Sequence, residues 1–185
     1  MTDLTPITAL GGSSARVQKF DALTISENTE LGLASLSLRS GQAAPSPFGL
    51  ILPDVGRSSA IEGFAAFWTA TGQWMIEADG QADRDFAKAL KSEAPQCSVT
   101  EQTDGFVAFE IESIDGAGSI NDVMAKLVNI DLLGFDEGSA LRTGLEHMSV
   151  FLVRRSAGHI AVIGMRTLAD SLWHALSTAA ARQNT

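Results

Sequence analysis

Along this 185-residue chain the spacing of apolar and polar positions changes from strand-like to helix-like several times. Between Leu31 and Leu38 the text LGLASLSL alternates imperfectly, as a strand does, and APSPFG with its two prolines breaks it. GFAAFWT and QWMIEA are β-favouring runs on either side of Ala70-Thr71-Gly72, which predicts a hairpin with Trp68 and Trp74 at its inner ends. ADRDFAKALKSE places Ala82, Phe86, Ala89 and Leu90 on one face and charges on the other, predicting an amphipathic helix that stops before Pro95. In FVAFEIESI, Val107, Phe109 and Ile111 face one way and Ala108, Glu110 and Glu112 the other, and Asp115-Gly116 ends the run as a turn. Ser119 and Asp122 resemble a capping box ahead of Ile120, Val123, Met124, Leu127 and Val128, a helix expected to end near Ile130. LRTGLEHMSVFLVRR (141–155) and HIAVIGM read as two strands around Ser156-Ala157-Gly158. Thr167 and Asp170 then open a last helix carrying Leu168, Leu172, Ala175, Leu176 and Ala179.

Strands that come in hairpins rather than singly between helices predict an α+β fold of mainly antiparallel sheet with packed helices. The recurring unit of strand pair then helix suggests an internal pseudo-repeat, although no residue period accompanies it. Residues 1–19, rich in Thr, Ser and Gly and without a sustained period, read as a flexible N-terminal arm, and 20–185 as a single domain.

Charge narrows the partners. Thirteen basic against 22 acidic residues give a net charge of −9, and no basic stripe is present, which argues against nucleic acid. No run approaches the roughly 20 apolar residues of a membrane span. The first residues lack the pattern of a signal peptide, and the single cysteine, Cys97, cannot form an internal disulfide, so a cytoplasmic location is expected.

The chemistry-bearing residues do not assemble into a motif. His147, His159 and His174 have no ligand spacing with Cys97 or a carboxylate, and no serine stands in a nucleophile elbow. Gly116-Ala117-Gly118 precedes a helix as a phosphate loop would, but Asn121 stands where the third glycine of that fingerprint belongs. Asp131, Asp136 and Glu137 lack the spacing of a calcium loop. No catalytic, cofactor-binding or metal-binding residue is assigned.

Six segments in order resemble the gamma subunit family of bacterial heterotetrameric sarcosine oxidase: LPDVGR (52–57), FWTATGQWMIEA (67–78), SVTEQTDGFVAFEI (98–111), VMAKLVNIDL (123–132), LRTGLEHMSVFLVRR (141–155) and MRTLADSLWHAL (165–176). The resemblance implies a fold similar to the folate-binding domain of the glycine-cleavage T-protein. It also implies a non-catalytic role in assembly beside alpha, beta and delta subunits. The whole enzyme oxidatively demethylates sarcosine, releases hydrogen peroxide and passes one carbon to tetrahydrofolate. FAD, FMN, NAD and zinc would belong to the partner chains, with no cofactor in this one.

On that reading Arg142, His147, Arg154 and Arg155 decorate a sheet edge that meets a partner, and replacing the arginines by alanine leaves the isolated fold nearly as stable. Arg57 pairs with a partner or lies over Trp68 or Trp74. Trp74 and Trp173 are further interface candidates, with core packing the alternative for Trp173. The isolated chain is expected to expose an apolar patch and to self-associate. A free-standing folate or one-carbon binding protein of the same fold is the alternative function, and an aminomethyltransferase-like enzyme ranks behind both.

Overall fold

A computed structural model describes residues 7–182. Over these residues the chain forms β1 (Val17–Phe20), β2 (Leu23–Asn28), β3 (Gly32–Ser37), β4 (Ser58–Ile61), β5 (Phe64–Ala70), β6 (Gln73–Ala78), α1 (Phe86–Glu93), β7 (Ser98–Glu101), β8 (Phe106–Ser113), α2 (Ala117–Leu127), β9 (Ala140–Leu145), β10 (Met148–Ser156), β11 (His159–Met165) and α3 (Ala169–Ala181). The strands make two antiparallel sheets, ordered β1-β2-β8-β11-β10-β9 and β4-β5-β6-β3-β7.

Period-two alternation sets the layers. In β6, Trp74, Ile76 and Ala78 pack with Phe86 and Leu90 of α1, while Met75 turns to the other sheet. In β8, Val107, Phe109 and Ile111 join Ile120 and Val123 of α2 and Leu172 and Leu176 of α3, while Ala108 turns inward with Phe67, Val153 and Ile163. The result is four layers: α2 and α3, the six-stranded sheet, the five-stranded sheet, and α1. Helices or the other sheet cover the central strands, so polar positions there, such as Glu77 and Glu110, meet protein instead of water, while Arg142 and Ser149 near the β9 edge stay exposed.

The pseudo-repeat lies in the topology. Setting β4-β5-β6-β3-β7 against β9-β10-β11-β8-β2 superimposes the two strand orders: a three-strand meander, its last strand paired to the strand that precedes it in sequence, and one flanking strand. The register slips at corresponding places in both hairpins, between Trp68 and Ala70 and between Arg154 and Ser156. In the first half the flanking strand, β7, follows α1. In the second half β2, from the N-terminal end of the chain, takes that place.

Residues 7–19, expected as part of a loose arm, touch the sheet at particular points although most of them are exposed, and residues 1–6 lie outside the described residues. Leu10 is buried in the helix-side core. The carboxylate of buried Glu27 accepts the Leu10 N–H at 3.2 Å and the Arg16 N–H at 3.3 Å. The Arg16 guanidinium lies 5.5 Å from the Trp173 ring centroid, a cation–π contact. No local period announces this segment because a carboxylate on a later strand holds it.

Helix ends also differ from expectation. α1 starts at Phe86, leaving Ala82 outside, because the Asp85 carboxylate caps the Lys88 N–H at 3.0 Å. α2 begins at Ala117, two residues ahead of Ser119, after Gly116 turns the chain at φ 77°, and it ends at Leu127. Before α3 a 3₁₀ turn spans Arg166–Leu168.

LRTGLEHMSVFLVRR is a hairpin, β9 and β10, where a single strand was expected. Its polar interruption is the turn: Leu145 pairs with Met148, and Glu146 and His147 stand at φ 43° and 70°. Two-residue hairpin turns with both central residues at positive φ favour Asn-Gly, because a Cβ strains the left-handed conformation. Replacing Glu146-His147 by Asn-Gly is therefore expected to stabilise the fold by about 1 kcal/mol in equilibrium denaturation.

Candidate functional site

The polar residues that converge do so between the sheets. On β10, Phe151 and Val153 face the five-stranded sheet, and Arg155 follows them where the β10–β11 register slips. Its guanidinium forks twice. Nε and Nη2 donate to the two Glu110 oxygens at 3.0 Å each, and Nη1 and Nη2 donate to those of Glu77 at 2.9 and 3.0 Å. Glu77 belongs to the five-stranded sheet and Glu110 to the six-stranded one, and both are buried. His159 Nε2 lies 2.8 Å from Glu110 Oε2, and the Asn28 amide donates to Oε1 at 3.3 Å.

Burial alone would raise the Glu110 carboxyl. Hydrogen bonding from His159 and the charge and hydrogen bonds of Arg155 overcome this and hold it at about 2. Burial opposes the charge on Arg155, and the two carboxylates more than offset it, pushing its pKa upward. Glu110 thus stays an anion near neutral pH with its oxygens already engaged, poorly suited to proton transfer. The cluster is a clamp between sheets.

The expected interface residues fall into three groups. Trp74 and Trp173 are core residues, at 8% and 6% exposure. Trp74 donates its indole N–H to the Pro53 carbonyl at 2.8 Å, and Trp173 meets Phe109 edge to face. Arg154 and Arg155 do not lie on an edge, because β10 runs between β9 and β11. Arg154 is 2% exposed on the helix-side face; Nη2 donates to the Ala157 carbonyl at 2.8 Å, and burial lowers its pKa.

Arg57 is half-exposed but engaged within the chain. It pairs with Asp136 at 2.8 Å, donates to Ser139 Oγ and the Glu137 carbonyl, and holds the Asp136 carboxyl below its ordinary range. Around it Ser58 N–H donates to the Gly138 carbonyl and Ala140 N–H to that of Gly56, joining the β4 and β9 edges of the two sheets. Arg142 and His147 are exposed on or beside the β9 edge. Arg142 donates to Ser149 Oγ at 2.8 Å and lies 5.7 Å from the Phe151 ring centroid.

A cleft of about 850 Å³ opens where residues 7–15, the β2–β3 link and the β7–β8 link meet, with Glu27, Leu31, Phe106 and Arg166 among its walls. Among the described residues no three His, Cys, Asp or Glu side chains gather as metal ligands. Cys97 is buried, and burial pushes its thiol up against the opposing charges of Lys91 and Arg39. Among the described residues no helix is long and apolar enough to cross a membrane.

No protein-family model and no curated protein sequence matches the chain. Its fold is similar to a chain of the heterotetrameric sarcosine oxidase of Corynebacterium sp. U-96, with TM-score 0.72 at 20% identity over 90% of this chain and 87% of that one. It is also similar to the glycine cleavage system aminomethyltransferase T of Bartonella henselae, with TM-score 0.56 at 15% identity over 81% of this chain. The match covers 44% of that protein, so the present chain spans less than half its length. The fold is thus α+β, T-protein-like and sarcosine-oxidase-like.

Two outcomes follow for the clamp. Arg155→Ala leaves buried Glu77 without its ion pair and Glu110 with only His159 and Asn28, and is expected to cost about 3–5 kcal/mol in chemical denaturation, against less than about 1 kcal/mol for the exposed Arg142→Ala. Because folding lowers the Glu110 pKa from 4.5 to about 2, its stabilisation is complete above the unfolded value and is lost as pH falls through the folded one. Thermal midpoints are expected to fall between those two pH values, and less steeply in Glu110→Gln.

Proposed function

We propose that the chain is a non-catalytic subunit of the gamma type in a heterotetrameric sarcosine oxidase and acts by holding partner chains together. The observation that carries this reading is the extent of the fold likeness, which takes in nearly the whole of both chains. The disposition of the polar residues supports it: the strongest ionic cluster is consumed in joining the two sheets, leaving its groups committed to structure. On this reading alpha, beta and delta chains are the partners, and FAD, FMN, NAD, zinc and tetrahydrofolate are theirs. Arg142 and His147, exposed at or beside the β9 edge of an acidic protein, are the remaining candidates for contact with a partner, Arg142 with its carboxylates.

A free-standing tetrahydrofolate-binding protein draws on the same fold and on the cleft. Its weakness is electrostatic, since Glu30, Asp83 and Asp104 line that cleft and repel the carboxylates of a folate tail.

Affinity purification of the full chain from its native cell tests the assembly reading. The expected result is co-elution with flavin-absorbing chains that oxidise sarcosine, while the chain purified alone is colourless and inactive. A colourless chain that elutes alone and binds tetrahydrofolate saturably at micromolar levels contradicts it.

A further inference from the structure

The cleft continues into a second hollow that shares Ile7, Thr8, Ala9, Asp104 and Arg166 and ends at Met165 and Thr167. The two together form a groove with chemically different ends. At one end stand the Glu30 and Asp83 carboxylates, and Asp104 lines both hollows; all three are exposed. Asp83 and Asp104 have no hydrogen bond or ion pair among the described residues. Glu30 has only a 3.5 Å hydrogen bond from its neighbour Thr29. The cation that lines the groove, Arg166, donates to the Ile7 carbonyl at 3.0 Å. At the other end Met165 is 50% exposed, and Ile7, which lines both hollows, is 64% exposed.

We propose that this groove docks a basic, partly apolar segment of a partner protein chain. The inference rests on the assembly reading and assigns it a contact surface. Charge complementarity selects the occupant. Unpaired carboxylates in a protein of net charge −9 repel nucleic acid and anionic lipid and attract lysine or arginine. The apolar end selects further, because the exposed Ile7 and Met165 side chains gain by being covered, which a small cation at the acidic end would not do. A chain segment carrying both features spans both ends. Salt is expected to weaken the contact by screening the acidic end while leaving the apolar end in place.

The probe is a fluorescent peptide of alternating lysine and leucine, titrated into the full chain and followed by anisotropy, with a glutamate-for-lysine peptide as control. The groove variant combines Glu30→Gln, Asp83→Asn and Asp104→Asn. A charge-matched variant combines Glu62→Gln, Asp115→Asn and Glu137→Gln, all exposed and outside the groove. Met165→Ser probes the apolar end, and thermal midpoints check that every variant is folded.

The proposal predicts saturable binding of the basic peptide alone, a loss of about tenfold or more, equivalent to about 1.4 kcal/mol, in the groove variant, and a change under about twofold in the charge-matched variant. It also predicts weaker binding by Met165→Ser. Equal losses in both charge variants would mean unspecific attraction to an acidic protein and overturn it, as would absence of peptide binding. Co-expression of the parent chain with the flavin-carrying chains is scored separately. Failure of the parent to assemble sinks the assembly reading, whereas full assembly of the groove variant sinks the groove as its contact surface.

Discussion

Two β-sheets packed face to face ordinarily meet through apolar side chains, yet this interface contains an arginine forked to two carboxylates, one from each sheet. That interaction constrains the layers around it. Desolvating three charged groups is expensive, and the geometry offsets the expense only while each oxygen keeps its donor. A small slide of one sheet over the other would separate Arg155 from Glu77 and leave a buried carboxylate bare. Leu33, Phe67, Met75, Val153 and Ile163 supply the non-directional attraction of this interface. The arginine forks add direction, and we read them as what fixes the relative position of the two halves.

A second stitch lies at the edges. Arg57 and the backbone around it tie β4 to β9 through Ser58, Gly138 and Ala140, so the two halves of the pseudo-repeat are joined both within the sandwich and at one corner. The N-terminal segment closes the arrangement differently. β2 supplies the flanking strand of the second half, and Glu27 at its end gathers residues 10–16 over the sheet. These joints place the groove at the meeting of three chain segments, while the strong ionic groups remain inside.

Much of the architecture was legible in the order of residues because alternation is a local property. The faces of β8, the hairpin from β5 to β6, and the antiparallel α+β class follow from spacing alone. The sequence also held a sign of the clamp, in that Glu77 and Glu110 interrupt otherwise apolar strands, but alternation assigns a polar position to a face without saying what covers it. Here a second sheet covers it, and Arg155, expected at an edge, is drawn inward. His147, expected to decorate an edge, stands with Glu146 in a turn; no Asn-Gly marked it, and its positive φ values are imposed by the hairpin. Residues 7–19 and the groove were invisible for a related reason, since both depend on contacts between segments far apart in the chain.

The most direct measurement of the clamp is a double-mutant cycle on Glu77→Gln and Arg155→Met, read as unfolding free energies of the two single variants, the double variant and the parent. If the forked pair fixes one sheet on the other, the two substitutions couple by about 2 kcal/mol or more, and the double variant is more stable than Arg155→Met alone because the stranded carboxylate is gone. Additive substitutions, with the double variant less stable than either single one, would contradict the account and leave the apolar contacts and the corner stitch around Arg57 to hold the sheets together.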